Sequence, residues 1–112
     1  MVYTREAHPK NGWKIKGMSR IRDPRTISQR QRAAGRCTSD FGFDFPTLVD
    51  DMLDSTAVRY AAWPERIFVV NPDGRIGFAG GCGPSNFLVR RAPGVSDASG
   101  TDLSLEAYLQ SI

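Results

Sequence analysis

Residues 66–80, RIFVVNPDGRIGFAG, set two apolar, β-rich runs on either side of Asn71-Pro72-Asp73-Gly74. Proline presets φ at the second position of a tight turn. Asparagine and aspartate bond their own backbone, and glycine takes the left-handed conformation that reverses the chain. The stretch predicts an antiparallel hairpin, 66–71 paired with 75–79. A two-stranded hairpin is at best marginal alone, so the other segments must supply a layer for it to pack on.

Those segments alternate. Val2 and Tyr3 open a short strand predicted over 2–7, with Pro9 marking its end. Residues 9–22 have no clean period and read as loop. DPRT at 23–26 reads as a helix start, with Asp23 as cap and Pro24 at the first helical position. Ile27, Ala34 and Phe41 then share one face at seven-residue spacing. FPTLVD, 45–50, predicts a second strand. DMLDSTAVRYAA, 51–62, predicts a helix with Met52, Leu53, Ala57 and Tyr60 as its apolar face. Beyond the hairpin come a glycine loop at 80–83, a soft segment at 90–101 rich in Gly, Ser and Ala, and a last helix over 102–111. That helix carries Leu105, Tyr108, Leu109 and Ile112 at i, i+3, i+4, i+7. The order β-α-β-α-β-β-α predicts an α/β layer with a mixed sheet, an ordered core of about 2–88.

At 112 residues this is one small domain, and 40% hydrophobic with 24% charged residues suits a water-facing surface. No apolar run approaches the roughly 20 residues that span a bilayer. No basic stretch leads into an apolar one at the N-terminus, so the expectation is a cytoplasmic protein without membrane contact. Cys37 and Cys82 make neither a disulfide framework nor metal-ligand spacing, so no metal or resident cofactor is expected. The net charge of +3 is uneven. Lys14, Lys16, Arg20, Arg22, Arg25, Arg30, Arg32 and Arg36 meet only Asp23. Asp40, Asp44, Asp50, Asp51 and Asp54 follow. Such a block suits an anionic partner, but no aromatic residues interleave it as a nucleic-acid platform requires. It reads as a solvated face, with no nucleic acid expected.

Chemistry concentrates in EAHPKNGW, 6–13, which holds the single histidine. On a strand, Glu6 and His8 point to one face. A carboxylate beside an imidazole orients the ring and equips the pair to deliver a proton or hold a phenolic hydroxyl. The alternative is a strand-end histidine with an ordinary hydrogen bond. Trp13 either walls an aromatic pocket or covers a sheet edge. Glu65 and Arg66 read as a local ion pair. The loop GGCGP, 80–84, brings backbone N–H groups near a ligand and presents Cys82, a reactive thiol or an inert small residue.

Helix, Pro64, strand, turn, strand, glycine loop and helix together resemble the C-terminal two-thirds of a thioredoxin fold, a three-layer sandwich. EAHPKNGW, YAAWPERIFVV, DGRI and GGCGPSNF, in that order, resemble the iodothyronine deiodinase family, especially its bacterial, redoxin-like members. The resemblance covers residues 2 to about 87. It implies an oxidoreductase that removes iodine reductively with a selenocysteine or cysteine nucleophile and an external thiol reductant. It implies a role for His8, beside Glu6, in catalysis or substrate binding, a cis Pro64 next to the nucleophile, and Cys82 at a position where some members hold the substrate; Trp13, Pro64 and Cys82 are the expected substrate-binding residues. The family nucleophile lies on a β-α unit preceding the E-A-H strand, and neither Cys37 nor Cys82 occupies its place. The expected domain is thus thioredoxin-like but incomplete at its N-terminal β-α unit and inactive alone: a truncated reading frame, a fragment, or a protein completed by a partner chain or second copy. A non-catalytic binding module is the alternative. Pro24 stands where animal members often carry a histidine, which points to the bacterial branch and away from thyroid hormone as substrate.

Overall fold

The computed structural model describes residues 1–90 and 104–112. The architecture is mixed α/β. The chain groups into two compact units, Met1–Pro64 and Glu65–Ile112.

In the first unit, β1 (Val2–Tyr3) lies parallel to β2 (Leu48–Val49), with Val2 opposite Leu48 and Tyr3 opposite Val49. Parallel neighbours need a crossover, and α1 (Ile27–Phe41) lies in it. The helix starts later than expected. Thr26, not Asp23, is the cap, and its Oγ1 accepts the Gln29 N–H at 3.2 Å. The Asp23 N–H instead goes to Asn11 Oδ1 at 2.8 Å, which holds Asp23 in the preceding loop. Gly42 closes the helix in the left-handed region, φ 65.

The buried stripe of α1 centres on Arg30 and Ala34, whereas Ile27 and Phe41 are exposed. Arg30 is the largest fully buried side chain among the described residues, only 2% exposed. Its Nη1 donates to the Asp50 and Asp51 carbonyls and lies 2.9 Å from Asp54 Oδ1. Those acids organise α2 (Ser55–Arg59), which is shorter than the predicted 51–62. Asp50 Oδ1 accepts the N–H groups of Asp51 and Thr56, and Oδ2 that of Ala57. Asp51 Oδ1 accepts those of Leu53 and Ser55. Bonding these orphan N–H groups fixes where the helix begins. Burial alone would push the Asp50 carboxyl up, but the Ala57, Thr56 and Asp51 donors outweigh it and hold the carboxyl below its usual range. Of the predicted α2 face, Ala57 is buried while Leu53 and Tyr60 are exposed.

In the second unit, β3 (Phe68–Val70) and β4 (Ile76–Ala79) form the predicted antiparallel hairpin. The Gly74 N–H donates to the Asn71 carbonyl at 2.9 Å, and the Asn71 N–H to the Arg75 carbonyl at 2.8 Å. Gly74 sits at φ 81, the conformation the turn demands. Val69 faces Phe78 and Val70 faces Ile76, leaving Gly77 as a bulge. Among the described residues there are two two-stranded sheets, one parallel and one antiparallel. The predicted helix over 102–111 is α3, Leu105–Ser111, capped by Ser104. The soft segment of 90–101 lies, but for Arg90, outside the described residues.

Tyr108 docks α3 onto the hairpin. Its ring centroid is 5.3 Å from that of Phe78, and its hydroxyl donates to Asn71 Oδ1 at 3.3 Å. A Cβ on Gly77 would run into the Tyr108 hydroxyl and the Asn71 amide. Gly77→Ala is therefore expected to lower stability by about 1–3 kcal/mol through overpacking. Chemical denaturation measures it, with Tyr108→Phe as a background that removes the clash with the hydroxyl but leaves that with the Asn71 amide. An unchanged midpoint would mean that α3 does not lean on the bulge.

Candidate functional site

The expected alternation does not reach EAH. Strand β1 stops at Tyr3, and the backbone bends at residues 7 and 8. Glu6 and His8 are therefore not held on one strand face, and no hydrogen bond or ion pair joins them. The expected Glu6–His8 pair is corrected accordingly.

The 6–13 segment forms a closed loop instead. The Gly12 N–H donates to the Pro9 carbonyl at 3.2 Å, and the Lys10 N–H to the Ile21 carbonyl at 2.8 Å. A Cβ on Gly12 would lie 2.9 Å from Pro9 Cγ, so the tight closure requires glycine. His8 Nδ1 lies 3.0 Å from the Trp13 carbonyl oxygen. A carbonyl can only accept, so Nδ1 carries the proton and, in the neutral ring, Nε2 keeps its lone pair. The ring also meets the Trp13 indole edge-to-face, with centroids 5.0 Å apart. The structure thus brings His8 and Trp13 together, while the indole itself is 74% exposed.

Glu6 has a different set of neighbours. Burial pushes its carboxyl up, and the Asp23 carboxylate adds to the rise. Cys37, on α1, has its thiol pushed up by burial and by the charges of Glu6 and Asp40. A raised carboxyl holds its proton to higher pH, which suits an acid. A raised thiol is a poor nucleophile. Among the described residues, no group of three or more His, Cys, Asp or Glu side chains is placed to hold a metal ion.

The Trp63–Pro64 bond is cis. Trp63 Nε1 donates to the Arg5 carbonyl at 3.2 Å, and the Arg5 guanidinium sits 5.2 Å from the indole centroid. These contacts tie the Pro64 segment to the residue preceding Glu6. Sequence reasoning missed Trp63 in this role; an exposed-type Arg and a Trp 58 positions apart give no local signal.

Cys82 lies in the second unit, half-buried, and is not disulfide-bonded. The glycines beside it serve the fold. The Gly83 N–H donates to the Glu65 carbonyl at 2.9 Å, and a Cβ on Gly83 would meet the Glu65 carboxylate. A Cβ on Gly81 would meet the Asn86 backbone. Arg66 Nε donates to the Gly80 carbonyl at 2.6 Å, and its guanidinium lies 4.9 Å from the Phe68 ring centroid.

The profile of the iodothyronine deiodinase family matches residues 1–94. The chain belongs to that family. It is 31% identical over 84 residues to the type I iodothyronine deiodinase of Xenopus laevis, covering 75% of this chain and 32% of the relative. It is 30% identical over 90 residues to the thyroxine 5-deiodinase of Gallus gallus, covering 80% of this chain and 34% of the relative. The type II iodothyronine deiodinase of Petromyzon marinus is 31% identical over 100 residues, with 80% of this chain and 32% of the relative covered. The chain thus spans about a third of the length of the curated relatives it matches. These relatives are vertebrate proteins, so they lend no support to the expected bacterial placement.

Proposed function

We propose that this chain is the proton-handling part of a thioredoxin-like, thiol-dependent reductive deiodinase. The observation that carries the reading is Glu6, a half-buried carboxyl pushed up by burial and by Asp23, in the segment that also holds the oriented imidazole of His8. In the reaction, a thiolate or selenolate takes iodine from an aryl carbon, the carbon takes a proton, and the C–I bond breaks. Two equivalents of external thiol then release iodide and a proton, regenerate the enzyme thiol and leave as a disulfide. Glu6 is the group suited to supply the proton, and His8 Nε2 to hold a phenolic hydroxyl. Trp13 and Pro64 in the first unit, and separately Cys82 in the second, are the candidate substrate contacts. The attacking atom comes from a β-α segment other than these 112 residues, since Cys37 is a raised thiol within α1. The protein works in the cytoplasm without a resident cofactor.

The test is a deiodination assay with a dithiol reductant and an iodinated phenol. The 112-residue chain is expected to show no turnover. Joined to a strand–Cys–helix segment from a family relative, it is expected to turn over. Glu6→Gln or His8→Ala in that fusion then lowers the rate by about 10²–10⁴. Turnover by the chain alone that disappears in Cys82→Ser would make Cys82 the nucleophile and overturn the reading.

A second reading, a non-catalytic module completed by a partner strand or second copy, draws on the packing. Among the described residues, Ala34 and Ala57 are the buried core hydrophobics, and Leu48, Leu53 and Val58 are mostly exposed. Among the described residues each sheet has two strands, and open edges recruit strands. A monomer in size-exclusion chromatography, at concentrations where the fusion is active, counts against it.

A further inference from the structure

Beside α1 lies a cleft of about 470 Å³ whose lining includes Arg22, Arg25, Arg32 and Arg36. We propose that it binds a small molecule joining phosphate groups to a flat apolar ring, of the nucleoside diphosphate or triphosphate type. This is independent of the deiodinase reading, and none of these four arginines takes part in that chemistry.

The charge is concentrated and largely uncompensated. All four arginines are exposed. Among the described residues, Arg22, Arg25 and Arg32 make no ion pair. Arg32 Nη1 donates only to the neutral Ser28 Oγ, at 3.2 Å. Arg36 reaches Asp40 at a loose 3.8 Å. Asp23, next in sequence to Arg22, is half-buried and acts on the Glu6 carboxyl. The first turn of α1 carries no acidic residue, so the helix dipole adds to the positive field there.

The chemistry of the lining narrows the ligand. Guanidinium forks match phosphate oxygens two at a time, which favours phosphate over a simple halide or a lone carboxylate. A cleft of this volume is in the range of small-molecule sites, and inorganic phosphate alone would leave most of it empty. The remaining lining is exposed Gln29 and an apolar part made of buried Pro24 with half-buried Ile21 and Ala33. That surface suits the face of a ring. No aromatic side chain lines the cleft to stack successive bases of a strand, which favours a single small ligand over a polynucleotide.

Isothermal titration of the full 112-residue chain with ADP, pyrophosphate and adenosine tests this at low and moderate salt. The expected result is saturable 1:1 binding of ADP, weaker binding of pyrophosphate and none of adenosine. Arg25→Gln and Arg32→Gln should each weaken ADP at least tenfold, the scale of one charge-assisted hydrogen bond. Arg32→Lys, which keeps charge but loses the fork, should weaken it too. Arg59→Gln, at the end of α2 and outside the cleft, should leave it unchanged. Circular dichroism verifies that each variant is folded. No saturable ADP binding would overturn the proposal. Equal weakening by Arg59→Gln would reduce it to a general charge effect. Pyrophosphate binding as tight as ADP would overturn the ring assignment. A single-stranded oligonucleotide binding more tightly than ADP would replace the site with a nucleic-acid contact.

Discussion

Arg30→Ala is expected to destabilise the first unit by about 3–5 kcal/mol, the loss seen when one partner of a buried ion pair is removed. Arg30 is 2% exposed, and its partner Asp54 is 24% exposed, so solvent screens the pair little. The substitution strips Asp54 of its counter-charge and the Asp50 and Asp51 carbonyls of a donor. Those carbonyls belong to the turn that starts α2, so α1 loses its polar tie to the β2–α2 junction. Small domains have only about 5–15 kcal/mol in total, and the loss is a large share of it. Both tryptophans, Trp13 and Trp63, lie in this unit, so fluorescence-monitored urea unfolding reports it directly. Arg30→Lys should recover part of the charge but not both carbonyl bonds. Combined with Asp54→Asn, which tolerates the positive φ of 57 at that position, Arg30→Ala should cost less than the sum of the single changes. A loss below about 1 kcal/mol for Arg30→Ala would show that the arginine is not what joins these elements.

Arg30 also shows where reading the chain falls short. It falls between Ile27 and Ala34 on the predicted inward face of α1, and the i, i+3, i+7 spacing was the available signal. It was read as part of a solvated basic block because arginine is rarely fully buried unless paired. The partner, Asp54, is distant in sequence, so only the fold reveals the pair. By contrast, the hairpin was legible because its determinants are local. Asn71, Pro72, Asp73 and Gly74 each favour the turn they form. The helices were legible in place but not in length, since the N–H groups of Asp23, Asp51 and Leu53 are claimed by the side chains of Asn11, Asp50 and Asp51, and that of Arg25 by Gln29. At the site, the residue types of EAHPKNGW marked the right loop. Their geometry was misjudged because two-residue alternation holds only while a strand continues, and β1 stops at Tyr3. The carboxyl that interacts with Glu6 is Asp23, seventeen positions away, beyond the reach of any local period.

Acid should weaken the first unit in a way that depends on Asp50. Its carboxyl is held below the ordinary value of 3.8 in the folded chain, because burial is outweighed by N–H donors from Ala57, Thr56 and Asp51. A depressed carboxyl contributes stability that is fully present above its unfolded pKa and is lost as pH falls through the folded one. The fold should therefore hold its full Asp50 contribution at neutral pH and shed it below about pH 4. Glu6 works with the opposite sign. Its carboxyl is raised above 4.5, so its ionisation costs stability as pH climbs from that value through the raised one. The two effects predict a stability maximum on the acidic side of neutrality, falling steeply towards lower pH. Asp50→Asn keeps one acceptor but loses the charge that strengthens all three bonds. It should lower stability at pH 7 by about 1.5–3 kcal/mol, the scale of hydrogen bonds to a charged group, and flatten the acid limb. Glu6→Gln should leave the acid limb intact and raise stability at neutral pH relative to the wild type. Thermal unfolding from pH 3 to 8 on the three proteins decides between these curves. An acid limb equally steep in Asp50→Asn would place the titrating group elsewhere and remove Asp50 as the carboxylate that starts α2.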